Sequence, residues 1–299
     1  MSAPVSVQAA PRGGLVAVAL FLVYVVWGST YLGIRLALEG GMPPLSVISG
    51  TRFIIAGGLL YALLRWRGVA APTRAQWKTL VVMGFCLLLL GNGMVVLAER
   101  DVSSGLAAVA VASVPLWMAL FSAIRGEKVT SGEWLGIAVG FAGVLWLNAG
   151  SSLTATPTGL VMLLIAPLGW AAGSIWSRGR DLPAPFMAAA AQMLCGGVIL
   201  FVAGLLRGER MVALPSLQGT LAVAYLCVFG SIVAFTAYVW LLHNVRPVLA
   251  SSYAYVNPVI AVALGAWLAH ERFSVADIGA MVVILAGVVV ITLARMRRA

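Results

Sequence analysis

Charge is what this chain has least of. Among 299 residues only 9% are Asp, Glu, Lys or Arg, whereas 62% are hydrophobic. Soluble domains carry about a quarter charged residues, so this sequence cannot cover a globular surface in water. It also lacks the short alternating segments of a membrane β-barrel. Its apolar runs are continuous, and residues 15–34 and 102–124 each reach the length of about 20 residues that a helix needs to cross hydrocarbon. The three cysteines, Cys86, Cys195 and Cys227, fall inside apolar runs without metal-type spacing and read as small buried hydrophobes. The two histidines and nine carboxylates never gather at a common depth, which speaks against a membrane enzyme. No Walker or dinucleotide glycine pattern occurs, so neither a cofactor nor a metal is expected. The net charge of +10 is scattered over short loops rather than gathered on a basic helix. That excludes nucleic acid as the simple partner and favours anionic lipid headgroups. Rings of charge or carbonyls that would line a channel are also missing.

What is present is a series of apolar helices. Polar or Pro/Gly breaks at 40–44, 65–74, 99–101, 125–133, 148–157, 178–183, 207–215, 243–246 and 270–277 divide the chain into ten spans. Residues 1–14 are small and polar, and the run that follows is too long for a signal-peptide core, so an uncleaved first helix is expected. Most of the 19 basic residues fall on the side of both termini: Arg12, Arg65, Arg67, Arg74, Lys78, Arg125, Lys128, Arg178, Arg180, Arg246 and the C-terminal arginines. Arg35, Arg100, Arg207, Arg210 and Arg272 mark the other side, and Arg52 lies within a span. By the positive-inside rule both termini are expected on the cytoplasmic side of the membrane.

Displacing the chain on itself by 143 positions sets Trp27 on Trp170, Arg35 on Arg178 and Pro115 on Pro258. One position further, Glu127 meets Glu271 and the Ala-Gly-Val at 142–144 meets that at 286–288. The expectation is an internal repeat of five spans, with halves at 15–150 and 151–295 between tails at 1–14 and 296–299. An odd number of spans gives the halves opposite orientations, a construction that places a site near the bilayer midplane.

The segments WGSTYLGIR, GTRF, GNGMVVLAE and SYAYVNPVIAVALG, with the paired AGV segments, resemble the drug/metabolite transporter superfamily, specifically its EamA-type exporters. The likeness covers essentially the whole chain. It implies an all-α integral membrane protein of ten transmembrane helices, built as two inverted five-helix repeats around a central cavity. That cavity is lined mainly by spans 1, 3, 4, 6, 8 and 9. It implies a secondary exporter and leaves the cargo open.

Polar groups in lipid tend to face other helices or water, so their positions nominate the site. In span 1 Tyr24, Trp27 and Tyr31 share a face beside Ser29 and Thr30; in span 6 Trp170 and Ser174 are one turn apart. Span 4 offers Trp117 one turn after Ser113, span 9 Tyr253 and Asn257, span 8 Thr236 and Tyr238, and span 3 Asn92 between two glycines. The candidate substrate-binding residues are Trp27, Ser29, Thr30, Asn92, Trp117, Trp170, Ser174, Tyr238, Tyr253 and Asn257. For the tryptophans the competing reading is helix packing, and for the hydroxyls interhelical bonding. Tyr31, Trp66 and Trp77 read as interfacial anchors. Arg52 is either an anion site or a structural arginine pinned to helix-end carbonyls or to Glu99. Glu127 and Glu271 are expected at helix N-termini, and Gly136, Gly140 and Gly143 on a close-packing face.

No carboxylate or histidine lies at mid-depth, so weak or no obligatory proton coupling is expected. The alternative is coupling through an edge group such as Glu99 or Glu271. An aromatic, amide-bearing cavity suits neutral or zwitterionic cargo, amino acids above all. Drugs, nucleobases or a non-transporting scaffold are the alternatives, and the partners are a small-molecule substrate and lipid, with the chain a monomer or weak dimer.

Overall fold

A computed structural model describes residues 13–126, 129–150, 156–212, 214–244 and 253–296. It is all-helical among these residues. Ten helices follow in order: α1 (Gly13–Glu39), α2 (Pro44–Trp66), α3 (Arg74–Ala98), α4 (Ser104–Ile124), α5 (Ser131–Gly150), α6 (Pro157–Ser177), α7 (Pro185–Leu206), α8 (Leu217–Leu241), α9 (Tyr253–Leu268) and α10 (Val275–Met296). Seven of them are individually long and apolar enough to cross a membrane. Their outer faces carry Phe21, Leu59, Leu145, Trp267 and Val282, all more than half exposed, which only a lipid solvent tolerates at this density.

The helix ends follow from local chemistry. Thr73, Ser103, Thr156 and Ser216 each accept a backbone N–H at the start of α3, α4, α6 and α8. Thr130 with Glu133 opens α5 and Ser274 with Asp277 opens α10 through the same reciprocal bonds, at positions 144 residues apart. Gly68 and Gly208, at φ 80° and 78°, stop α2 and α7 in left-handed turns that a side chain would strain. Within α4 the helix breaks at Ala112–Ser113, because Pro115 lacks an N–H and its ring crowds the carbonyl four residues back.

Three helices contain widened, π-type stretches: Pro44–Thr51 in α2, Gly84–Gly93 in α3 and Leu226–Val233 in α8. Sequence periodicity does not reveal them, since a π-turn shifts register without changing composition.

The packing has an exchange property. α1 lies against α8 and α9, while α6 lies against α3 and α4; α2 crosses α7, α4 meets α9, and α5 crosses α10. Moving every helix five places along the chain converts these partnerships into one another. The α5–α10 crossing is made by glycines: a Cβ on Gly136 or Gly143 would lie 2.8 Å from backbone of α10, and one on Gly287 would lie 2.5 Å from the Gly140 nitrogen. The glycine face foreseen in α5 is therefore used, with Gly140 also admitting Leu116 of α4.

Two carboxylates fasten helix starts from distant turns. Glu271 accepts the N–H groups of Ser104 (2.8 Å) and Gly105 (3.3 Å) at the start of α4, as expected; Glu127 lies outside the described residues. Glu209, which sequence spacing did not nominate, accepts from Leu45 N (3.1 Å), Ser46 N (2.8 Å) and Ser46 Oγ (2.9 Å) at the start of α2. Glu209→Ala should cost about 2 kcal/mol, because three donors lose a charged acceptor, and lower the melting temperature of detergent-extracted protein by several degrees. An unchanged melting curve would remove this tie from the stability account.

Candidate functional site

The ten candidate residues separate into distinct groups. The largest joins α1, α8 and α9. The Trp27 ring lies 5.1 Å from Tyr238 and 5.0 Å from Tyr253, those two tyrosines are 5.5 Å apart edge to face, and Phe235 completes the box at 6.2 Å from Trp27. Trp27 Nε1 donates to the Gly230 carbonyl at 3.1 Å, inside the widened stretch of α8. Such a stretch leaves carbonyls free of the regular ladder, and here one of them receives an indole from the opposite half.

The hydroxyls of this region serve the helices. Ser29 Oγ bonds Tyr225 OH at 2.6 Å and donates to the Val26 carbonyl at 2.9 Å, so it ties α1 to α8; Thr30 Oγ1 donates to its own helix at Trp27 O (2.6 Å). Asn257 is buried, and with its amide nitrogen turned toward them it donates to the carbonyls of Tyr253 (3.2 Å) and Tyr24 (3.3 Å), linking α9 to α1. Gly28 lets that contact form, because a Cβ there would meet Ile260 at 2.8 Å.

The second group pairs α6 with α3. Trp170 sits on Gly91, where an added Cβ would come within 2.9 Å of its ring, and packs beside Leu80, Met83 and Leu87. Ser174 Oγ donates to the Trp170 carbonyl at 2.7 Å. Gly91 belongs to the widened stretch of α3. Each half thus sets a tryptophan from its first helix onto the widened stretch of the other half's third helix. The two tryptophans belong to separate packing clusters.

Asn92 forms a third group with α2: its Oδ1 accepts from Ser49 Oγ and from Arg52 Nη2, both at 3.4 Å. Arg52 is 4% exposed, its guanidinium stands 4.2 Å from the Phe53 ring, and its Nε has no hydrogen-bond partner. It makes no ion pair with Glu99; Arg35 is the cation that pairs in this part of the chain, with Glu39. Trp117 is separate again, edge-on to Phe141 at 4.4 Å, with its buried Nε1 unpartnered.

Spacing missed Tyr225, Phe235 and Gly230. Phe235 and Tyr238 share a helix face at three residues' separation, and that was the available signal. Tyr31, expected as an interfacial anchor, instead packs inward against the core of α3, α4 and α10; Trp66, 83% exposed, fits the anchor role. A cleft of about 510 Å³ opens where α4 and α6 end, lined by Phe121, Trp176, Arg125, Arg178 and Arg180 among others, and none of the ten candidate residues lines it.

Comparison with known proteins follows the same division. The model of the EamA-like transporter family matches twice, at residues 14–149 and 157–293. An inner membrane transporter of Escherichia coli K12, YedA, named as uncharacterized, is 47% identical over 278 residues, covering 93% of this chain and 90% of its own. The transporter YdfC of Bacillus subtilis, likewise named as uncharacterized, is 24% identical over 271 residues, covering 89% and 85%. The protein PecM of Dickeya dadantii is 23% identical over 270 residues, covering 89% and 88%. A solved crystal structure overlays with a TM-score of 0.65 at 21% identity, spanning 96% of this chain and all of that one, a likeness of fold alone.

Proposed function

Because the chain belongs to the EamA-like transporter family, we propose that it exports small neutral or zwitterionic metabolites, amino acids foremost, by alternating access across the bacterial inner membrane. The observation that carries this reading is the exchange of packing partners, α1 on α8 and α9 against α6 on α3 and α4. Two five-helix halves in opposite orientation have this relation. Rocking one half on the other then closes one mouth as it opens the other, around a site at their shared faces.

The groups on those faces decide the cargo class. Trp27, Tyr238 and Tyr253 offer aromatic surface to an apolar part, as Trp170 does from the other half. Asn92 and Arg52, whose Nε lacks a partner, offer donors to a carboxylate. No carboxylate among the candidate residues faces a cationic cargo. Ser29, Thr30 and Asn257 spend their hydrogen bonds on helices, so in this reading they hold the walls rather than the cargo.

The test is a metabolite-efflux profile of cells with and without the protein. Outward loss of one or a few amino acids supports the reading, and export of cationic drugs alone overturns the cargo class. A reporter fused after Ala299 should read as cytoplasmic, because the basic loops lie on the side of both termini. A periplasmic signal would reverse the direction assigned to the cycle.

A further inference from the structure

Glu99 stands immediately after α3 and is 1% exposed, yet neither of its carboxylate oxygens has a hydrogen-bond partner. Ser104 Oγ, at the start of α4, is also fully buried and unpartnered. A buried anion without donors is strongly disfavoured, and a carboxyl in that position takes up a proton instead.

The charged neighbours reinforce this. Glu271, in the turn between α9 and α10, bears on Glu99 while its own oxygens are committed to the N–H groups of Ser104 and Gly105. It is a carboxylate neighbour of Glu99 and offers it no donor. From α1 come Tyr31 and Arg35; Arg35 is the cation acting on Glu99, but its Nε is bonded to Glu39 at 2.6 Å. The turn that carries Glu99 also bears Arg100, which is exposed, and Asp101, which accepts from Thr156. The first turns of α4 and α6 carry no charge. Burial, with the Glu271 charge, pushes the Glu99 carboxyl well above the usual carboxylate range; Arg35 opposes this.

We propose that Glu99 is a proton-binding site of this carrier, occupied while the ends of α1, α3, α4 and the α9–α10 turn are packed around it and emptied when they part. On parting, the O–H bond of the carboxyl breaks, the proton passes to water, and the remaining carboxylate is free to take Arg35 from Glu39. Tyr31 lies within Coulomb reach of both Glu99 and Tyr253, so the site adjoins the aromatic box of α1, α8 and α9. The inference rests on the carrier reading, and it makes the proton the coupling ion.

The test compares wild type with Glu99→Gln, which mimics the protonated form and should fold. In lipid-reconstituted protein at about pH 7, where an ordinary carboxyl is ionised, the infrared band of a protonated carboxyl should be present in wild type and lost in E99Q. Identical spectra would overturn the proposal. A carboxyl whose proton affinity is raised by folding stabilises the fold below its unfolded pKa and loses that contribution as pH rises toward the folded value. The wild-type melting temperature should therefore fall as pH rises from about 5 to about 9, and that fall should be absent from E99Q; equal slopes would overturn the site. Amide exchange at residues 104–109 should increase with pH in wild type relative to E99Q, and equal exchange at every pH would overturn the link to opening. If E99Q does not fold, Arg35→Gln replaces it: its melting transition should shift to higher pH, and an unmoved transition sinks the proposal. None of these readouts uses a cargo, so a failed efflux profile and a failed proton site are told apart.

Discussion

Gly287→Leu should abolish recovery of folded protein. A Cβ on Gly287 would lie 2.5 Å from Gly140 N, 2.6 Å from Gly140 Cα and 2.7 Å from Gly136 O. All three are backbone atoms of α5, so no rotamer change makes room and the helices must separate. In a bilayer there is little hydrophobic drive to rejoin them, because association rests on close packing. Lifting α10 off α5 uncovers Ile284 and Ile291, which belong to the same core as Leu116 and Val288. The loss is several kcal/mol, against a total stability of about 5–15 kcal/mol. The measurement is the monodisperse fraction after detergent extraction, with Gly14→Leu as control, since nothing lies within 4 Å of a Cβ at Gly14. Recovery of Gly287→Leu at the wild-type melting temperature would mean that the α5–α10 crossing is misplaced.

Trp27→Ala and Trp170→Ala should each lower transport of the cargo found by efflux profiling by about tenfold or more, about 1.4 kcal/mol of lost stabilisation. Each tryptophan joins the two halves at a widened stretch, Trp27 through Gly230 and Trp170 against Gly91. Truncation removes both the aromatic wall and the register that the wall sets. Membrane insertion should persist, because insertion depends on span hydropathy, to which one tryptophan contributes little. Asn92→Ala should fall with them, by removing the acceptor shared by Ser49 and Arg52. Wild-type transport in all three would reduce these side chains to packing and dissolve the proposed cavity.

Much of the fold was legible. Breaks in hydropathy placed the spans, the Gly136–Gly140–Gly143 spacing marked a tight helix face, and the position of Glu271 just past a span foretold its bond to a helix start. What stayed hidden depends on contacts between distant segments. Ser29 and Tyr225 are 196 residues apart, and no local spacing announces that their hydroxyls meet. Asn257 carries the polar amide expected of a binding group, but its neighbours Tyr24 and Tyr253 give that amide structural work. Glu99 sits in a stretch that reads only as a break between spans, yet its side chain is 1% exposed.

The crossed partnership of the helices also governs how the chain matures. α1 is made long before α8 and α9, its main packing partners, so through most of synthesis its Trp27 and Ser29 stand without Gly230 or Tyr225. The first five helices can insert, but their interior faces stay unsealed until the second five arrive. A chain truncated after α5 should therefore leave Trp27 and Ser29 without these partners. Supplying the two halves as separate chains meets the same geometric requirement as the intact one, since the halves are held to each other by contacts across the bundle rather than by the link between α5 and α6.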